Sequence, residues 1–168
     1  MTFRLATEAE LPLLFDLINE SYLPDDAFFL EGPRLGKLQD LLDMQAKGPF
    51  HVLLGELDPG SGKHDDIIGC VQLTPGRFEQ PRKMAMSLLA VRQSCKKRGL
   101  AAKIADLSHQ YAKDTGHVTV KIYVVSVKPW LVGLYGKLGY VATGEAPWVG
   151  EHVELTKPCH FITMEKPL

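Results

Sequence analysis

The chain has 168 residues, 45% of them hydrophobic and 23% charged, which is the size and composition of one globular domain with a core of its own. A net charge of −1 and a pI of about 6.6 argue against general nucleic-acid binding, and no apolar run approaches the roughly 20 residues that cross a bilayer. Met1 to Glu8 holds no signal-peptide core, so a soluble, cytoplasmic protein without a membrane partner is expected.

Residues 3–6 read as a short strand. Thr7-Glu8-Ala9-Glu10 then has the form of a capping box, opening a helix with Leu11, Leu14, Phe15 and Ile18 on one face. Tyr22 to Leu30 reads as an aromatic and acidic loop, whose Tyr22, Phe28 and Phe29 serve either simple packing or, with Trp148, the wall of a substrate site. A second helix is expected over about 34–46, with Leu35, Leu38, Leu41 and Leu42 at helical spacing, ending before Gly48-Pro49.

Phe50 to Leu57 and Ile67 to Leu73 read as strands joined by a polar turn. Its Gly62-Lys63 does not make a phosphate-binding P-loop, because His64 replaces the Ser or Thr and Leu57 stands where the first Gly is required. Met84 to Val91 is the next strand. The helix after it carries Leu100, Ile104, Leu107 and Tyr111 on one stripe and ends at Asp114-Thr115-Gly116. Val118, Val120, Ile122 and Val124 alternate with polar or aromatic residues, as in a half-buried strand. Pro129 suits the first turn of a helix through Leu131, Leu134 and Leu138. Tyr140 to Glu145 and His160 to Lys166 read as the last two strands, flanking a polar loop with Trp148, Glu151, His152 and Glu154. This order predicts a single α+β domain over residues 1–168, a mixed sheet with helices on both faces.

Cys70, Cys95 and Cys159 are too few and too scattered for a disulfide framework. The six histidines show no paired metal-ligand spacing, so no metal is expected.

The segment Leu88 to Ala102 carries the chemistry. A strand passes through a turn containing Gly99 into a helix, and Arg92, Lys96, Lys97, Arg98 and Lys103 surround it with no acidic residue among them. Backbone N–H groups at a helix start lack partners and face the positive end of the dipole, so the turn can hold a pyrophosphate. Gly99 has no Cβ to keep a phosphate at a distance.

Lys96-x-x-Gly99-x-Ala101, preceded by Leu89-Ala90-Val91, resembles the phosphate-binding signature of the GNAT N-acetyltransferase superfamily, with Lys96 where Arg or Gln is usual. Leu134-Tyr135-Gly136-Lys137-Leu138-Gly139-Tyr140 is similar to the family's second motif, at the expected distance. Ile68 to Leu73 resembles its third strand, Thr143-Gly144-Glu145 the end of its sixth, and Phe161 to Leu168 a closing strand. The resemblance implies about seven mostly antiparallel strands and acetyl-CoA as cofactor. Its pantetheine arm would lie along Leu89, Ala90 and Val91, and its pyrophosphate on the backbone of Lys97, Arg98, Gly99, Leu100, Ala101 and Ala102. Side chains at Lys96 and Lys128 are counted with these cofactor-binding residues.

It further implies Tyr135 as general acid for the leaving thiolate, and Leu89 N–H as oxyanion donor; a helix-face core role is the other reading of Tyr135. Many members carry a Glu near the position of Ser87, and this chain has none there. Glu145 is the remaining carboxylate candidate for the base, with a water chain to solvent as the alternative. Asp25, Asp26, Glu145, Glu151 and Glu154 are candidates to attract an amine cation. The expected activity is acetyl transfer to a primary amine, of a small molecule in preference to a protein or peptide. A non-catalytic acyl-CoA-binding regulatory module is the reading from another class, and homodimer formation is left open.

Overall fold

The computed structural model describes residues 1–76, 80–149 and 153–168. The main sheet contains β1 (Thr2–Leu5), β3 (Phe50–Gly55), β4 (Asp66–Pro75), β5 (Lys83–Val91), β6 (Thr119–Val125), β7 (Val141–Pro147) and β9 (His160–Pro167). They lie in the order β1-β3-β4-β5-β6-β9-β7, with β2 (Leu30–Glu31) and β8 (Glu154–Leu155) forming a separate antiparallel pair. Among the described residues only β5 and β6 pair in parallel. The seven-stranded, mostly antiparallel α+β sheet expected from the resemblance is therefore present, and β5 contains the Leu89-Ala90-Val91 segment that resembles the family's fourth strand.

The helices are α1 (Leu11–Asp26), α2 (Leu38–Lys47), α3 (Leu100–Asp114) and α4 (Trp130–Lys137). Leu11, Leu14, Leu17 and Ile18 of α1 and Leu41 of α2 pack on one face of the sheet with Phe50, Val52, Cys70 and Ala90. Leu100, Ile104, Ala105 and Ala112 of α3 pack on the other with Ile68, Val71, Val120, Ile122 and Val124, and Tyr135 and Leu138 of α4 join them. Val120, Ile122 and Val124 are buried as their alternation requires. Gly69 lies where α3 crosses closest: a Cβ there would stand 2.6 Å from Ile104 Cδ1 and 2.9 Å from the Ala90 carbonyl.

The capping box at Thr7 forms, and the Glu10 carboxylate also takes two bonds from the Arg4 guanidinium, at 2.7 and 2.9 Å. Those bonds hold the Glu10 pKa down at about 2, against a smaller opposing effect of burial. A depressed carboxylate stabilises the fold above its unfolded pKa and loses that contribution as pH falls through the folded value. Wild-type protein should therefore lose more stability between about pH 4.5 and 2 than Glu10→Gln, read as urea midpoints across that window. Equal pH slopes would show that the pair contributes nothing.

Two sequence expectations change. Tyr22 to Asp26 is the last part of α1 and not a loop, although Pro24 lies inside the helix. Proline has no N–H for the Glu20 carbonyl; that oxygen instead accepts from Gln93 Nε2 at 3.0 Å. Helix α2 starts at Leu38, four residues later than expected, because 32–37 is irregular chain and only Lys37 takes the N-cap position.

Candidate active site

Strands β5 and β6 are in register only at Lys83 with Thr119, Met84 with Val120 and Ala85 with Lys121. Beyond Ala85 they part, and a notch opens between Met86–Val91 and Ile122–Val125. Its closed end is clamped by Lys83 Nζ on the Glu165 carboxylate at 2.8 Å. Along the β5 wall the chain bulges. Cys70 faces Ala90 and Gln72 faces Ser87, so Leu88 and Leu89 together oppose Val71, and Leu88 takes φ 47°. The bulge leaves Leu89 without a register partner on β4, and β6 does not pair it either.

Helix α1 is stitched to that wall. Tyr22 Oη donates to the Leu89 carbonyl at 2.9 Å, Val91 N–H to Ser21 Oγ at 3.4 Å, and Gln93 N–H to Glu20 Oε1 at 3.2 Å. Tyr135 approaches from the other face of the sheet, edge-on to Tyr140 at 5.7 Å. Burial raises the Tyr135 pKa. Burial also raises that of Tyr22, with Arg34 opposing and Tyr135 adding to the rise. Among the described residues no hydrogen-bond partner occupies the Tyr135 hydroxyl.

The turn after β5 has the shape an anion needs. Lys97 has φ 64° and Gly99 φ 72°, and the first bond of α3 runs from Lys103 N–H to the Gly99 carbonyl at 3.1 Å. The N–H groups from Lys97 to Ala102 therefore have no acceptor among the described residues, a row of donors on an exposed turn. A Cβ on Gly99 would meet nothing within 4 Å, so the space above it is open. The residues present fit a pyrophosphate held by backbone.

The side chains around the turn behave differently from expectation. Arg92 Nε donates to the Ile67 carbonyl at 2.7 Å, and the Arg98 guanidinium to the carbonyls of Glu56 and Leu57 at 3.1 to 3.3 Å. Lys96 Nζ donates to the Ser21 carbonyl at 3.1 Å and lies 3.7 Å from Asp25. Three of the five cations therefore shape the loop by satisfying carbonyls that short-range structure leaves open, and Lys97 and Lys103 are the exposed ones.

Other expected residues fall elsewhere. Lys128, counted with the cofactor, is buried and donates to Asp26 Oδ1 at 2.7 Å; Asp26, expected to attract an amine, is fully buried between Lys128 and Arg34. A carboxylate already shared by two cations has no attraction left for a third. Glu145 does not reach the notch: it lies on the edge strand β7, with β9 between it and β6, is 74% exposed, and sits 3.6 Å from His160 Nε2. Phe29 is buried, Phe28 is partly exposed, and Trp148 packs edge-on to Phe29 and stacks on Phe161. Glu151 and His152 lie outside the described residues; Glu154 is exposed on β8. Ser87 Oγ donates to Gln72 Oε1 at 3.1 Å and leaves the β5 wall without a carboxylate. Arg34, Ser21 and Gln93 were not singled out from sequence. Only their partners, far along the chain, give them a role.

An open-ended notch between two parallel strands, a bulged wall and a donor-lined helix start are features that fit the acetyltransferase resemblance. Residues 13–140 match the model of the acetyltransferase (GNAT) family, and the chain belongs to that family. It is 28% identical over 86 residues to "Probable N-acetyltransferase 14" of Xenopus tropicalis, a match over 51% of this chain and 41% of the frog protein. It also resembles the solved ribosomal-protein-alanine N-acetyltransferase of Brucella melitensis, with TM-score 0.68 and 18% identity over the whole of both chains. A GNAT acetyltransferase of Elizabethkingia anophelis with acetyl-CoA bound is similar at TM-score 0.68 and 18% identity, over 99% of this chain and 97% of that one.

Proposed function

We propose that the protein is an acetyl-CoA-dependent N-acetyltransferase that acetylates the primary amine of a small molecule by direct attack. The observation that carries this reading is the row of N–H groups from Lys97 to Ala102 without an acceptor among the described residues, beside the notch where β5 and β6 part. Bound there, acetyl-CoA supplies the thioester. The turn holds its pyrophosphate, and the β5 wall from Leu89 to Val91, which β6 does not pair, borders its amide-bearing arm. Leu89 N–H, released from the ladder by the bulge, receives the oxygen charge that develops on attack. Tyr135 gives the proton to sulfur, and its raised pKa keeps the phenol protonated at neutral pH. The preference for a small acceptor over a protein is supported by Phe29, Trp148 and the β2–β8 pair, which pack around Val125 at the end of β6. A cytoplasmic location suits three free cysteines.

The acceptor must shed a proton, and with no carboxylate on β5 and Glu145 on the far edge, water carries it to solvent. The rate should then rise from about pH 6 to about pH 8.5 with one dominant ionisation, that of the amine, and Glu145→Gln should keep both rate and profile. A flattened or displaced limb in Glu145→Gln would restore Glu145 as the base. The absent β5 carboxylate also favours a second reading, an acyl-CoA-binding regulatory module. Binding of acetyl-CoA without transfer to any amine would select it.

A further inference from the structure

The acceptor side of the notch carries a buried excess of positive charge. Asp26, fully buried, receives Lys128 Nζ on Oδ1 at 2.7 Å and Arg34 on Oδ2, through Nε at 2.8 Å and Nη2 at 2.6 Å. One carboxylate faces two cations, which leaves a net charge of +1 in a place largely withdrawn from water. Lys128 is 5% exposed and further enclosed by the Phe29 ring, 5.4 Å from its ammonium. Arg34 is the open member: its side chain is 16% exposed, and Nη1 has no partner among the described residues. A guanidinium presents five N–H donors, so bonding to Asp26 leaves one edge of the fork unused.

Arg34 is also placed by the catalytic wall. Its guanidinium lies 4.6 Å from the centroid of the Tyr22 ring, and the Tyr22 hydroxyl is bonded to the Leu89 carbonyl. The surplus charge is thus one side chain away from the Leu89 peptide. A second unused donor lies on the same side. Trp148 Nε1 is buried without a partner among the described residues, and its ring packs on the Phe29 that covers Lys128. An unpaired buried donor and a buried surplus cation both call for an anionic oxygen.

We propose that the acceptor is an amine carrying a carboxylate, of the amino-acid class, and that Arg34 is the residue that selects it by binding that carboxylate. Asp26 and Lys128 are positioning residues: they fix the Arg34 fork and prevent it from folding away. A carboxylate on Arg34 leaves the amine of the same small molecule facing Leu89 and Tyr135. Polyamines and basic peptide termini would meet repulsion at this point. The inference rests on the acetyl-transfer reading and adds the acceptor class.

The test compares L-amino acids with their α-amides, which keep the amine and lose the carboxylate, in wild type, Arg34→Gln and Arg34→Lys. Arg34→Gln leaves the Asp26–Lys128 pair in place. The acids should exceed the amides at least about tenfold in kcat/KM at equal concentrations of neutral amine, and Arg34→Gln should remove about tenfold for the acids through KM alone. Values for the amides and for acetyl-CoA should stay unchanged, and Arg34→Lys should fall between. Amides equal to or better than acids in the wild type, a comparison that needs no variant, would overturn the proposal. So would an equal loss for both substrates in Arg34→Gln. If no amine is acetylated, the transfer reading fails separately, and calorimetry of N-acetyl-L-amino acids into coenzyme A-loaded protein decides this one. Binding lost in Arg34→Gln supports the anion site; no binding to wild type overturns it.

Discussion

Tyr135→Phe should lower turnover about 10- to 1000-fold while leaving acetyl-CoA affinity nearly unchanged. Phenylalanine keeps the ring that packs edge-on to Tyr140 and the contact of α4 with the sheet, so the fold has no reason to change. What is lost is one hydroxyl, with no hydrogen-bond partner among the described residues, which is the proposed proton donor to the leaving thiolate. Burial raises its pKa, so the group stays protonated across the pH range in which the amine becomes neutral, and it should impose no falling limb below about pH 8.5. Wild-type turnover in the variant, with chemistry rate-limiting, would make Tyr135 a packing residue only.

Replacing Gly99 should weaken acetyl-CoA binding by at least about tenfold, roughly 1.4 kcal/mol. Two causes act together and can be separated. At φ 72° a β-branched side chain strains the backbone, so Gly99→Val perturbs the turn and obstructs the open space above it. Asparagine tolerates that conformation, so Gly99→Asn keeps the turn and adds only the obstruction. Calorimetry should show loss of binding in both variants, with the thermal midpoint lowered clearly only in Gly99→Val. Full affinity in Gly99→Asn would move the pyrophosphate off this turn.

The parts of the molecule that were legible in the sequence are those specified by neighbours. The strand, basic turn and helix around Gly99 are contiguous, and the alternation from Val120 to Val124 needs only one buried face. The capping box at Thr7 spans four residues. What stayed hidden depends on distant partners. Pro24 and two aspartates read as a loop, yet α1 continues because Gln93 satisfies the carbonyl that proline abandons. The two-residue strands β2 and β8 are too short for any period, and pair across more than a hundred positions. Lys128 counts among the cofactor-binding residues in the sequence, yet Asp26, 102 residues earlier, holds it in the fold. Cations in the basic turn show the same limit: sequence gives their number, and only the fold reveals that three of them are bonded to carbonyls.

Release of free coenzyme A thiol, followed together with the mass of the acceptor while the protein is mixed with acetyl-CoA and a panel of primary amines, tests the central claim most directly. Thiol release in equal amount with an acceptor heavier by one acetyl group, abolished or strongly slowed in Tyr135→Phe, is the predicted result. Tight acetyl-CoA binding with no acetylated amine anywhere between about pH 6 and pH 8.5 would contradict it.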